Sequence, residues 1–438
     1  MIAGNRTVGL AGATIGLGEG VEGSTTNTAA PSVREPFSVT HVDYDGTASV
    51  YLPGFFAGTD FENRGAGKRA AVYDDFLIMG AGGLLQVGSW GVSASVDLQS
   101  FTVRATTADR PDLNMNIVRY NASLSHAFFG DQLSVGIGLR AVTMFLGEAN
   151  TPAGSLMTMA GISPQIGVLA RPDEGRFRFG ATFRAPVYGS GFAGGRSSFD
   201  GRGVLVADGF VLPQQIVLPA EFEAGVAVQV GPRDLNLSWQ NPTDQEEPLR
   251  ERVRASREER RKARDAELDK LHGDGKDFRN KQLEREEQAI IAIEDARLDA
   301  EAGELKKARQ ARYENLPRAR IMVVASVLAL ASSSHSIAVS SFLSQRDEPY
   351  GQSWTLTPRF GLEAEPVVNR LMLRLGGYVE PARFLDATPR QHLTFGGDVK
   401  LFAWDVFGLV RKMTWKIGLG FDVAPRYTNW GIGLGVWH

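Results

Sequence analysis

Residues 18–23 read GEGVEG, a literal G-x-G-x-x-G. A loop of this pattern that binds dinucleotides must follow a buried apolar strand and open a helix, so that the helix N-terminus meets pyrophosphate. The residues before it, RTVGLAGATIGL, are broken by glycines, and STTNTAAPSVREP after it is punctuated by proline. No strand–helix–strand repeat follows. In a chain with 50 glycines a single match of this kind arises by chance, so the glycines have another use.

That use shows in the rest of the chain, which alternates with period two. In QLSVGIGLRAV, Leu133, Val135, Ile137, Leu139 and Ala141 share one face, with Ser134, Gly136, Gly138 and Arg140 opposite. In WTLTPRFGLEAE, Trp354, Leu356, Pro358, Phe360 and Leu362 oppose Thr355, Thr357, Arg359, Gly361 and Glu363. Successive side chains of a strand point to opposite faces, so each strand has one greasy and one polar face. The strands are long for a globular sheet, where about 5–6 residues is usual. Links at 89–90, 130–131, 231–234, 332–335 and 367–370 are tight, and longer ones at 53–75, 188–212 and 241–316 fall between them. Short turns on one rim and long loops on the other suit an outer-membrane barrel.

The spacing predicts an all-β, transmembrane antiparallel barrel of 14–16 strands. The strand count itself gives sixteen, including 234–240 and 335–345. The last strand, NWGIGLGVWH, alternates most regularly. No apolar run reaches the roughly 20 residues a spanning helix needs, and no secretory signal is visible at MIAGNRT. The expected location is the outer membrane of a Gram-negative-type cell, in a form without its signal peptide.

Charge divides the chain. Residues 241–320 hold 20 basic and 20 acidic residues, and the other 358 residues hold 27 and 30. The segment from Pro248 to Pro317 is rich in Ala, Glu, Lys, Arg and Leu, with HGDGK at 272–276 as a turn, and reads as a charged helical hairpin. The domains expected are therefore a plug segment (1–35), a first part of the barrel (36–240), the hairpin (241–316) and a second part of the barrel (317–438). Counting nine strands before the hairpin places it on the cell surface. Net charge of −3 gives no case for nucleic acid. The absence of cysteine excludes disulfides and thiolate metal sites.

The N-terminal segment resembles the start of outer-membrane long-chain fatty-acid transporters, the FadL/TodX-type family. Gly4-Asn5-Arg6, the small residues Gly9 to Ala13, and Asn27-Thr28-Ala29-Ala30-Pro31 carry the likeness; Thr28 stands where the family has proline. The stretches Leu218–Pro242 and Leu362–Phe384 are similar to two of the family's hairpins. The resemblance implies a fourteen-stranded barrel with the N-terminal segment folded inside, with Gly9, Gly12, Asn27 and Pro31 as plug residues. It also implies transport of hydrophobic or amphipathic, fatty-acid-like molecules.

Residues on the polar strand faces are candidate lumen groups: Arg119, Arg140, Arg359, Glu363, Arg374, Asp398 and Lys400. They line a permeation path or form an ion-pair network that stiffens the barrel. The six histidines are scattered without metal-ligand spacing, Tyr73-Asp74-Asp75 reads as a polar rim, and no nucleophile motif appears. No enzyme activity, metal or cofactor is expected. The partners expected are membrane lipid, a hydrophobic small molecule and a protein partner for 241–316. The alternative function is an anchoring barrel that displays the hairpin.

Overall fold

The computed structural model describes the chain except residues 1–3, 35–37, 54–59, 66–72, 104–110, 150–154, 174, 194–197, 200–204, 208–209, 233, 238, 271, 273, 316, 318–319, 334–335, 344–345, 347, 406, 409–411 and 438. The side chains of Tyr73, Asp74 and Asp75, and all of His335 and His438, lie outside the described residues. Two compact units are present, one of residues 1–35, 43–238 and 317–438, the other of 36–42 and 239–316.

The first unit is a barrel. Its strands are β1 (Val42–Pro53), β2 (Tyr73–Val87), β3 (Trp90–Val103), β4 (Leu113–Phe128), β5 (Leu133–Glu148), β6 (Ser155–Ala170), β7 (Phe177–Arg184) and β8 (Val187–Ala193). After a small three-stranded sheet, β9 (Ser198–Phe199), β10 (Leu205–Ala207) and β11 (Phe210–Val211), come β12 (Gln215–Leu218) and β13 (Glu221–Val230). The wall finishes with β14 (Ile321–Leu330), β15 (Thr355–Val367), β16 (Leu371–Glu380), β17 (Arg390–Trp404), β18 (Met413–Ala424) and β19 (Tyr427–Val436). Pairing is antiparallel throughout. β1 pairs β19, and β7 pairs both β6 and β13, so the ring closes.

That ring has fourteen strands, β1–β7 and β13–β19. The expectation of sixteen is corrected at two places. Residues 335–345 contain a short helix, α5 (Val339–Leu343), rather than a strand. The described residues of 234–240 form no ladder; instead Arg178 donates to Leu235 O and Asn236 Oδ1, and Asn236 Nδ2 donates to Pro172 O and Phe177 O. These side-chain bonds, with Gly175 O accepting from Leu235 N and Asn236 N, take the place of a ladder.

β8 and β12 continue the wall above β7 and β13. β8 pairs the outer half of β6, and β12 pairs β8. Both junctions contain proline, Pro186 and Pro219, which cannot donate to a ladder. Arg140 Nη2 donates to the two carbonyls exposed there, Ala185 O and Pro219 O, each at 2.8 Å.

The barrel is inside-out relative to a globular sheet. On β15 the polar face (Thr355, Thr357, Glu363) is buried, while Leu356, Pro358 and Phe360 are exposed. Ile137, Leu139, Ile162, Phe179 and Leu393 are likewise exposed. In water such a band would aggregate; in lipid it is the required surface, and a closed ladder leaves no backbone group unpaired in hydrocarbon. Trp90, Phe128, Phe129, Phe402 and Phe407 are exposed beside the tight turns, as an interfacial aromatic girdle requires.

The second unit contains α3 (Pro242–Leu268) and α4 (Asp274–Glu314). Asn241 caps α3, its Oδ1 accepting from Thr243 N at 3.1 Å. Ion pairs fasten the arms: Arg260 and Arg257 to Glu294, Arg264 to Glu287, Arg279 to Glu267. Hydrogen bonds from Arg260 above all, and from Arg257, hold the Glu294 carboxyl at about 2. Eight ring strands precede this unit rather than nine. In the chain, α3 and α4 fall between Val230, which ends β13, and Ile321, which begins β14, a cross-strand pair. The strand parity behind the cell-surface expectation is therefore reversed.

Candidate functional site: the plugged lumen

Residues 4–34 fold inside the ring as two short helices, α1 (Asn5–Gly9) and α2 (Gly20–Thr26), and a 3-10 turn at Ala30–Ser32. GEGVEG thus runs into α2, with no strand before it. Glu22 from this stretch accepts hydrogen bonds from Arg6 N (2.8 Å) and Thr7 N (3.0 Å), satisfying the open donors of α1.

The wall is built to admit this backbone. A Cβ on Gly136 of β5 would stand 1.9 Å from Thr28 O, and one on Gly180 of β7 would stand 2.0 Å from Ile15 O. Only glycine permits that approach. Gly9 packs the same way from the plug side, where a Cβ would lie 2.9 Å from Arg374 Cβ. Gly12 turns the chain at φ 78°, and Pro31 O accepts from Gln86 Nε2 of β2 at 2.8 Å.

Asn27 is fully buried and ties three segments. Its Nδ2 donates to Ile15 O and to Val168 O of β6, each at 3.0 Å, and its Oδ1 accepts from Ala29 N. Asn27→Ala removes these bonds and leaves the buried Ile15 carbonyl without its partner, a cost of about 1–3 kcal/mol. The expected result is raised leak conductance in planar bilayers with the barrel still folded by gel mobility. Unchanged conductance would remove Asn27 as a latch.

Charge fixes the plug more strongly. Arg6 donates to Glu363 through Nε (2.9 Å) and Nη2 (2.8 Å), and its Nη2 also pairs with Glu19. Glu19 pairs with Arg178 at 2.7 Å. Glu363 is fully buried and pairs with Arg374 and Arg320, and Arg374 continues to Asp398, which pairs with Lys416. On the opposite wall Arg140 and Arg184 pair with Glu221, and Arg359 with Glu223. Of the residues expected in the lumen, Glu363, Arg374 and Asp398 meet one another, and Arg140 and Arg359 join a second cluster. Lys400 donates to Asn369 Oδ1 in the 367–371 turn. Arg119 lines a cavity and makes no ion pair among the described residues. Glu19, Arg178, Glu221 and Glu223 had no local sequence signal, because their partners lie far along the chain.

The cavity, about 240 Å³, separates plug from wall and is lined by Thr25, Thr26, Ser49, Asp97, Arg119 and Asn121 among others. On the other side of β1 and β2 lies an apolar groove of about 730 Å³, formed by the outward-facing Val50, Met79, Val96, Ile432 and Leu434. Ser49, Gly80 and Ala81 line both spaces. Towards the long-loop rim the lumen turns apolar: Ile78, Met115, Met144, Leu146, Met157 and Met159 are buried there against Phe342 and Leu212. Across the lumen stands a polar wall, where His392 Nδ1 meets Asp422 Oδ1 at 2.8 Å and Tyr378 OH donates to Asp422 Oδ2. Arg390 of this wall donates to Asp60 O at 2.7 Å, fixing the loop after β1.

A closed ring with a greasy exterior and its own N-terminal segment in the lumen is a plugged transmembrane β-barrel of the outer-membrane type. The chain is similar over 99% of its length to the CymD monoaromatic hydrocarbon channel, covering 96% of that chain at 9% identity and a TM-score of 0.48. It is similar over 100% of its length to a Pseudomonas aeruginosa FadL homologue, covering 98% of that chain at 11% identity and a TM-score of 0.49. It is also similar to the TodX monoaromatic hydrocarbon channel deltaS2 mutant, over 95% of this chain and 93% of that one, at 10% identity and a TM-score of 0.41. No family model matches the chain, and no curated protein matches it.

Proposed function

We propose that the barrel carries hydrophobic or amphipathic small molecules across the outer membrane. The observation that supports this most is the graded lumen: an apolar, methionine-rich outer half above a polar cavity beside the plug, with an apolar groove behind the thin wall at Gly80. Methionine packs against varied apolar shapes, which suits a path that must accept and release. A sealed anchor would need neither the cavity nor the groove.

Uptake of a fluorescent acyl probe into proteoliposomes tests the reading. Gly80→Leu narrows the shared wall, because a Cβ there meets Asp97 Oδ1 at 2.9 Å and Ser49 Oγ at 3.3 Å. Uptake by the native chain, reduced in Gly80→Leu and kept when 243–316 are deleted, supports transport. Absence of uptake by the folded native barrel would leave the anchoring function in its place. We further propose that the hairpin lies in the periplasm, since tight turns belong to that rim. Protease added to intact cells should then spare it, and cut it once the outer membrane is opened; cleavage on intact cells would reverse the assignment.

A further inference from the structure

Residues 60–65, in the link after β1, bond to both sides of the outer lumen. On the apolar side Phe61 packs against the buried cluster, its ring 4.4 Å from that of Phe76. Glu62 Oε1 accepts from Val339 N at 3.1 Å, an open donor in the first turn of α5, and α5 sets Phe342 into the same cluster. Arg64 pairs with Glu348, which also accepts from Ser341 Oγ of α5 at 3.3 Å. On the polar side Asn63 Nδ2 donates to Thr388 O at 2.9 Å. Asp60 is held at both backbone groups: its N donates to Arg426 O at 3.0 Å, and its O accepts from Arg390 Nη1 at 2.7 Å. The strap 60–65 and α5 thus form one cover against the apolar cluster, and Arg390 is its charged tie to the barrel wall.

Arg390 shares its partners with a buried histidine. His392 Nδ1 lies 2.8 Å from Asp422 Oδ1, and Nε2 lies 3.2 Å from both Glu380 Oε2 and Arg390 Nε. Arg390 also donates to Glu380 Oε2, through Nε at 2.9 Å and Nη2 at 2.6 Å. Each strand packed against the imidazole contributes a group. Tyr378 of β16 stacks on it at 4.2 Å and donates to Asp422 Oδ2 of β18, and Tyr427 of β19 meets it edge-on at 5.0 Å. Asp60 Oδ2 lies 3.9 Å from Arg390 Nη1. Three carboxylates, of Asp60, Glu380 and Asp422, therefore stand around Arg390 and His392.

Nε2 of His392 sits between a carboxylate and a guanidinium, and its proton decides which of them it can bond. Protonated, the ring donates from both nitrogens, to Asp422 and to Glu380, and Arg390 keeps Glu380 and Asp60. Deprotonated, with Nδ1–H held by Asp422, Nε2 presents a lone pair. That lone pair is repelled by Glu380 Oε2 and accepts from Arg390 Nε. The guanidinium is planar and rigid, so turning Nε toward the ring carries Nη1 away from Asp60 O. We propose that His392 is a proton switch on the cover of the outer lumen. The charged ring keeps the strap tied, and the neutral ring frees it to lift with α5 from the apolar cluster. The switch does not require the transport reading, and its test involves no transport.

Arg64 is buried, so trypsin cuts after it only when the strap lifts. Cuts after the exposed Arg252 and Lys262, in the same digest, correct for the protease's own pH dependence. Barrels in micelles are digested at about pH 6 and about pH 8, across the range where histidine changes charge, and the cut after Arg64 is identified by fragment mass. Its corrected rate should rise about tenfold from the lower pH to the higher, the weight of one hydrogen bond to a charged group. His392→Gln cannot take up the proton and should give one rate at both values. Arg390→Gln should be cut fast at both. Folded barrels are selected by their heat-dependent gel mobility. A native rate that does not move with pH, a slope that survives in His392→Gln, or an Arg390→Gln strap as resistant as the native one at the lower pH would each overturn the switch while leaving the transport proposal standing.

Discussion

Glu363→Ala should release the plug and open a conducting pore. This carboxylate is fully buried and faces three guanidinium groups, of Arg6, Arg374 and Arg320. Removing one member of a buried ion network strands the others without counter-charge, which costs about 3–5 kcal/mol. Part of that cost is relieved if the segment carrying Arg6 leaves the wall and Arg6 reaches water. The expected signature is a large rise in single-channel conductance, together with protease cleavage within residues 1–35. Arg6→Ala should do much the same, and the double variant should cost less than the sum of the two, because they remove one contact. A closed, protease-resistant Glu363→Ala barrel would show that the plug is held by packing alone.

Gly136→Val tests the packing directly. The added Cβ would fall 1.9 Å from Thr28 O, and both groups belong to backbone that hydrogen bonds already fix, so neither can yield. Residues 27–30 should be driven off β5, at the upper end of the about 1–3 kcal/mol that overpacking costs. Conductance should rise with the barrel ladder intact. Gly83→Ala is the control: its Cβ has ordinary clearance, 3.9 Å from Asp45 O, and should change nothing.

The barrel class was legible because lipid and lumen impose period two on every strand, and period two survives in the sequence. Strand number was less so. SIAVSSFL (336–343) alternates as a strand would, yet Val339–Leu343 closes into a helical turn, and Phe342 is buried in the apolar lumen cluster. The segment 234–240 carries strand-like residues, but Arg178 competes for its polar groups. Each error added one strand, and the one at 234–240, which precedes the hairpin, reversed its parity. The inward charges on β5 and β15–β17 could be read from alternation. Their pairing could not, since nothing local marks Arg178 as the partner of Glu19, 159 residues away.

The same distances bear on how the protein is made. Arg6 waits 357 residues for Glu363, and Gly9 O waits 385 for the hydroxyl of Thr394. The first helix of the chain leans on strands that are the last to be synthesised, and β1 itself completes its pairing only against β19. Loop closure over such lengths is slow, because the entropy is lost before any contact repays it. The helix α1 therefore completes its contacts only when the last strands are in place, and its docking coincides with sealing of the seam. A barrel stalled before β15 leaves Arg6 without Glu363, and α1 open to periplasmic proteases. Closure of the ring and burial of α1 thus depend on the same late strands.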